Sequence, residues 1–133
     1  MGKREEILYN AIDLRKRSEE IERNLQFVNE QVAELEGFEK GLEFLQNEEE
    51  KEILAPLGKG VFVKVEKRKS EKLFVDVGAG VLVRKTPEET RKVILEQMRK
   101  FKEAKIQLTT ELEGFAAQFR EMMEEVEKLK EGQ

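Results

Sequence analysis

Two short glycine motifs are where this sequence comes nearest to familiar chemistry. Gly58-Lys59-Gly60 and Gly78-Ala79-Gly80 invite comparison with loops that cradle phosphate. Neither has the third glycine of a dinucleotide fingerprint or the Gly-Lys-Ser/Thr end of a P-loop. Alternating β-branched residues follow each motif, so no helix N-terminus faces an incoming anion. Both motifs read as turns. The basic run from Lys67 to Lys72 could touch nucleic acid, but no aromatic platform or recognition motif accompanies it, and the chain carries a net charge of −4. It reads as a solvated hairpin loop, and no nucleic-acid partner is expected.

The 133 residues include no Cys, no His and no Trp. Without Cys there is no disulfide, no thiol nucleophile and no thiolate metal site. Without His the usual general base near neutral pH is missing, and so are imidazole ligands. Carboxylates are plentiful, but no nucleophile–base pair and no metal spacing stands among them. An enzyme is not expected, nor is a cofactor or a bound metal. The remaining chemistry is apolar contact, and its placement depends on the elements that carry it.

Charged residues make up 41% of the chain and apolar residues 38%, a balance that suits helices burying only a narrow stripe. From Ile7 through Ala11, Leu14, Ser18, Ile21, Leu25, Val28, Val32 and Leu35, apolar or small residues recur at alternating steps of four and three. That is a heptad seam facing a partner helix. The next apolar residues, Phe38, Leu42 and Leu45, come one position early, which predicts a three-residue stammer and a local bend or imperfect packing around Gly37. A second seam runs Ile94, Met98, Phe101, Lys105, Leu108, Leu112, Phe115, Phe119, Met122, Val126 and Leu129. Its start is marked by Thr86 as a cap, Pro87 at the first helical position and Glu89 to complete a capping box. Two readings stand for Lys105: a register pin, or a side chain snorkelling to water. Folded back antiparallel, the seams would put Leu45 near Ile94, Leu25 near Phe115 and Leu14 near Val126, with both chain ends together at the far tip.

Between the seams the period changes to two. Val61, Val63 and Val65 share one face, as do Leu73, Val75 and Val77, and Val81 with Val83. β-branched residues at this period mean strands. A short strand at residues 53–57 turning at Gly58 to Gly60 brings the total to about four strands, or two β-hairpins. The expected fold is mainly α with a small β region: one domain over residues 1–133, built as helix 5–50, β linker 53–85 and helix 87–130. Residues 1–52 carry a net −7, residues 53–85 a net +5 and residues 86–133 a net −2. So small a sheet exposes edges that must be paired or covered, which predicts an oligomer built on the eight strand residues named above.

Apolar residues off the seams are the remaining surplus. Leu8, Ile12 and Met123 lie near the chain ends; Phe27, Phe44, Ala116 and Ala117 lie deeper. Singly, each reads equally as a broadened core or as a contact for another protein. Their clustering at the joined ends favours contact, and Met adapts to varied partners. The N-terminus is charged and no long apolar run follows, so neither a signal peptide nor a membrane span is expected, and the chain reads as soluble and cytoplasmic.

Helix, two hairpins, helix, with heptads in both arms, resembles the alpha class of prefoldin subunits. The segment Pro56-Leu57-Gly58-Lys59-Gly60-Val61-Phe62-Val63-Lys64, with Phe74-Val75-Asp76-Val77-Gly78-Ala79-Gly80-Val81 and Lys85-Thr86 after it, is similar to that family's linker. The similarity covers essentially the whole chain, and its Glu/Lys-rich, Cys-free composition is similar to archaeal members. The resemblance implies a hexamer of two alpha and four beta subunits, its hairpins joined into a β-barrel body bearing coiled-coil arms. It also implies nucleotide-free capture of unfolded client proteins at the arm tips and their delivery to a group II chaperonin. Carried over by position, the tip contacts are Ile7, Leu8, Ile12, Met122, Met123, Val126 and Leu129. The competing expectation is a structural coiled-coil scaffold, or a prefoldin-like subunit of another assembly with fixed partners.

Overall fold

In a computed structural model the described residues are 2–46, 51–68 and 72–132. The elements are α1 (Lys3–Gln46), β1 (Lys51–Gly58), β2 (Val61–Lys67), β3 (Leu73–Asp76), β4 (Leu82–Lys85) and α2 (Pro87–Glu131). The expected first helix reached residue 50; residues 47–50 lie outside the described set. The chain divides into two compact units, Met1–Val32 with Lys100–Gln133, and Ala33–Arg99.

In the first unit α1 and α2 run antiparallel. Ile7, Ala11, Leu14, Ile21 and Val28 are buried on α1, with Ser18 and Leu25 half-buried between them. Ser18 sits in the seam without an orphaned hydroxyl, because it donates to the Leu14 carbonyl at 3.0 Å. The facing side chains of α2, Leu108, Leu112, Phe115, Met122, Val126 and Leu129, are half-buried. A pair of helices encloses small and branched side chains on one member, but the larger ones of the other keep an outer edge in water. Phe27 and Phe101 meet edge to face, with ring centroids 6.5 Å apart. Phe27 thus widens this core although it lies off the heptad positions.

The register differs from the expected one. Lys3 reaches Glu125 at 3.7 Å. A pairing of Leu14 with Val126 would instead carry Lys3 beyond the last residue. In the second unit Thr90, in the first turn of α2, is buried.

In the second unit Leu42, Ile94 and Met98 form a buried cluster, with Leu35, Leu45 and Leu73 packed against it. Leu45, expected near Ile94, packs against the cluster that contains it. The expected stammer is not seen: Phe38 is exposed, and the seam passes from Leu35 through half-buried Glu39 to Leu42. The heptad continues because Arg91 of α2 supplies Glu39 with a partner, its Nε donating at 3.2 Å. In the first unit, likewise, Ala104 turns inward and Lys105 is exposed, so water takes the lysine and the seam advances three residues from Phe101 instead of four. The α2 cap is as expected: Thr86 Oγ1 accepts the Glu89 N–H at 3.1 Å, and Thr90 Oγ1 donates to the Thr86 carbonyl at 2.9 Å.

β1 pairs antiparallel with β2, and β3 with β4, as two separate two-stranded sheets. The basic segment after β2 therefore links two hairpins and is not itself a hairpin loop, which corrects the expectation for residues 67–72; residues 69–71 lie outside the described set. Both tight turns are the glycine motifs. Gly58, Lys59 and Gly60 all have positive φ, and so do Gly78, Ala79 and Gly80, a conformation that glycine adopts without strain. The second turn is also tied by Asp76, whose carboxylate accepts the Gly78 N–H at 2.8 Å.

Candidate functional site

Exposed apolar surface is distributed unevenly along the chain. At the joined helix ends Leu8 and Ile12 are exposed, as is the neighbouring Tyr9, while Ile7 is buried in the pair. Met122, Met123, Val126 and Leu129 are half-buried. Lys3, Arg4, Leu8, Lys128 and Leu129 line an open hollow of about 740 Å³ there. Of the tip residues named from sequence, Leu8 and Leu129 line this hollow, and Ile7, Ile12, Met122, Met123 and Val126 do not. Tyr9 was missed because a residue between two off-seam positions carries no periodic signal.

A second apolar hollow of about 850 Å³ lies along the same helix pair, lined by Ser18 on α1 and by Leu112, Phe115, Ala116 and Phe119 on α2. It exists because Ser18 is too small to fill its seam position. Arg15, Glu22, Glu113 and Arg120 ring it with both charge signs.

The hairpins carry the densest exposed apolar surface. Val61, Val63, Val77, Val81 and Val83 are exposed. Val65, Leu73 and Val75 are half-buried. Leu73 packs on the Leu42–Ile94–Met98 cluster, and Val65 and Leu73 line a hollow of about 330 Å³ with Leu45 and Ile53. Those two side chains serve the chain's own interior. The opposite face of each hairpin was not singled out from sequence, yet Leu54, Leu57, Phe62, Phe74 and Leu82 are all exposed on it or at its turn. Period-two reading selects one face, and here both faces are apolar, the pattern of strands covered on both sides.

Polar chemistry is correspondingly sparse. Among the described residues no group of three or more Asp and Glu could hold a metal ion, and every buried side-chain nitrogen or oxygen has a partner. No described helix is long and apolar enough to cross a membrane.

Two long helices joined by two glycine-turned hairpins, with apolar surface concentrated on the hairpins, define a class of assembling coiled-coil subunits. The family profile described as Prefoldin subunit matches residues 14–131, and the chain belongs to that family. It is similar to the prefoldin subunit alpha of Thermofilum pendens, with 31% identity over 110 residues, 79% of this chain and 82% of that protein. Its match to the prefoldin subunit alpha of Methanosphaera stadtmanae is 28% identical over 92 residues, 69% of this chain and 66% of the relative. The chain thus spans just under two thirds of that relative's length. In fold it is similar to a chain of the filamentous PFD from Methanocaldococcus jannaschii, solved by cryo-EM, with a TM-score of 0.73 over 91% of this chain and 98% of that one at 21% identity. The resemblance drawn from the linker residues is borne out.

Proposed function

We propose that this chain is a subunit of a nucleotide-independent holdase, which captures non-native proteins at the joined helix ends and passes them to a group II chaperonin. Its membership of the prefoldin family supports this, together with one feature of the surface: Ile12 is 57% exposed and Leu8 is exposed one turn before it, near the paired ends. Such contact is non-directional and takes many sequences. Each arm binds weakly, and several arms held on one body bind together with avidity. On this reading the body forms from the hairpins of this chain and of beta partners, as two alpha and four beta subunits. The chain then works in the cytoplasm.

A second reading, a structural subunit of a different assembly, draws support from the filamentous neighbour. The two differ in what the helix ends do. The test is aggregation suppression of an unrelated denatured protein without nucleotide, using the full chain and a form lacking about ten residues at each end, at matched oligomer concentration. The holdase reading expects protection from the full chain and a sharp loss on truncation with assembly intact. Equal protection by a normally assembled truncated form would move the capture surface away from the ends. No protection by either form would favour the structural subunit.

A further inference from the structure

Charge changes sign along the hollow at Ser18, and it does so on both helices. On α1 the basic Arg15 is followed seven residues later by the acidic Glu22. On α2 the acidic Glu113 is followed seven residues later by the basic Arg120, and all four side chains line the hollow. Seven residues are two helical turns, about 10 Å. The helices run antiparallel here, with Lys3 reaching Glu125 and Phe27 meeting Phe101. Arg15 and Arg120 therefore share the end of the hollow nearer the chain termini, and Glu22 and Glu113 share the other.

Within one chain this arrangement is unsatisfied. Like charges share each end. Arg15 takes Glu19 of its own helix at 3.4 Å, but Glu22, Glu113 and Arg120 have no ion-pair partner among the described residues. Between the charges the lining is apolar, formed by Leu112, Phe115 and Ala116. Phe119 also lines it and is 37% exposed. The four lining charges sum to zero, so what fits this face depends on direction and not on net charge.

We infer that this face of the helix pair docks on the same face of a second copy of the chain, the two helix pairs running antiparallel to one another. A copy turned end for end sets its two carboxylates against Arg15 and Arg120, and its two arginines against Glu22 and Glu113. A copy running the same way sets arginine against arginine and carboxylate against carboxylate, and like charges facing one another across an interface are costly. The contact is two-fold, so every pairing occurs twice and the surface closes on itself. Phe115 and Phe119 of both copies then cover the gaps left by the two small Ser18 side chains, which removes their exposed ring surface from water. The inference concerns the helix pair alone and stands apart from the roles proposed for the hairpins and the helix ends.

The chain has no Cys, so a single introduced thiol reports the contact. Ser18→Cys places it in the docking face, and Asn24→Cys places it on α1 outside the hollow. Treated with a short bis-maleimide over a concentration series, the full chain carrying Ser18→Cys should give a covalent dimer of twice 15.5 kDa, and the chain carrying Asn24→Cys several-fold less. Arg120→Glu or Glu113→Arg, each added to Ser18→Cys, should lower the yield several-fold. Both reversals in one chain should restore it, and so should an equal mixture of the two single-reversal chains. Arg120 and Glu113 are exposed, and far-UV circular dichroism checks that helix content is kept. Association elsewhere on the chain does not follow this pattern of loss and rescue. Equal yields from the two cysteines overturn the docking face. Single reversals that leave the yield unchanged, or a double reversal that fails to restore it, overturn the antiparallel pairing. A Ser18→Cys chain that never cross-links overturns the second-copy inference and leaves the hollow to a different partner.

Discussion

Glu39 of α1 and Arg91 of α2 form an ion pair in the seam of the helix pair, with a single carboxylate oxygen taking the guanidinium Nε at 3.2 Å and its terminal nitrogen at 3.0 Å. Glu39 occupies the heptad position between Leu35 and Leu42, where an apolar residue is the norm. Its side chain is only 20% exposed, so Arg91 is what makes a charge tolerable there.

Removing either partner therefore has unequal effects. Arg91→Ala strands a largely buried carboxylate and should destabilise the chain by about 1–3 kcal/mol. Glu39→Leu removes the charge and restores the apolar seam, and should raise the melting temperature. Thermal unfolding followed by far-UV circular dichroism measures both. A lower melting temperature for Glu39→Leu than for Arg91→Ala would contradict the seam placement.

Neighbouring positions on α2 separate the observed seam from a strict heptad. Ala104 faces the partner helix and Lys105 faces water. Ala104→Glu should cost about 1–3 kcal/mol, since it forces a carboxylate towards the seam, whereas Lys105→Glu should stay within about 0.5 kcal/mol of the parent. Denaturant midpoints decide between them, and equal effects would restore Lys105 to the seam.

Glycines in the helices and in the turns should respond in opposite directions to the same change. Gly37 and Gly114 lie inside helices with nothing within 4 Å of an added Cβ, so Gly→Ala there should stabilise by about 0.5–1 kcal/mol. Gly78 has equal space but a φ of 124°, so Gly78→Ala should destabilise through backbone strain alone. Melting temperatures of the three single variants are the readout.

At the helix ends, Leu8→Ser with Ile12→Ser removes exposed residues without touching buried Ile7. Melting should be nearly unchanged, and the protein concentration needed for half-maximal aggregation suppression should rise several-fold. Ser18→Leu, which fills the second hollow, should leave that concentration unchanged if capture is confined to the ends. The reverse ranking would move client contact to the Ser18 hollow.

Most of the architecture was written in local pattern. Alternating four- and three-residue steps specify a two-helix seam, and period-two valines between glycine turns specify hairpins, because each period follows from backbone geometry alone. The Thr86 cap and the turn conformations at Gly58 and Gly78 are equally local, as is the family likeness carried by the linker. Tertiary structure decided what depends on partners distant in sequence. Phe38 and Glu39 are adjacent, and apolarity alone assigns the seam to Phe38; Arg91, fifty-two residues beyond Glu39, reverses that assignment. The register of the first unit likewise rests on pairs distant in sequence, Lys3 with Glu125 and Phe27 with Phe101. Whether Leu73 faces its own core or another chain could not be read from its alternation with Val75, because both roles require the same apolar side chain. Its packing against Leu42, Ile94 and Met98, residues distant in sequence, distinguishes them.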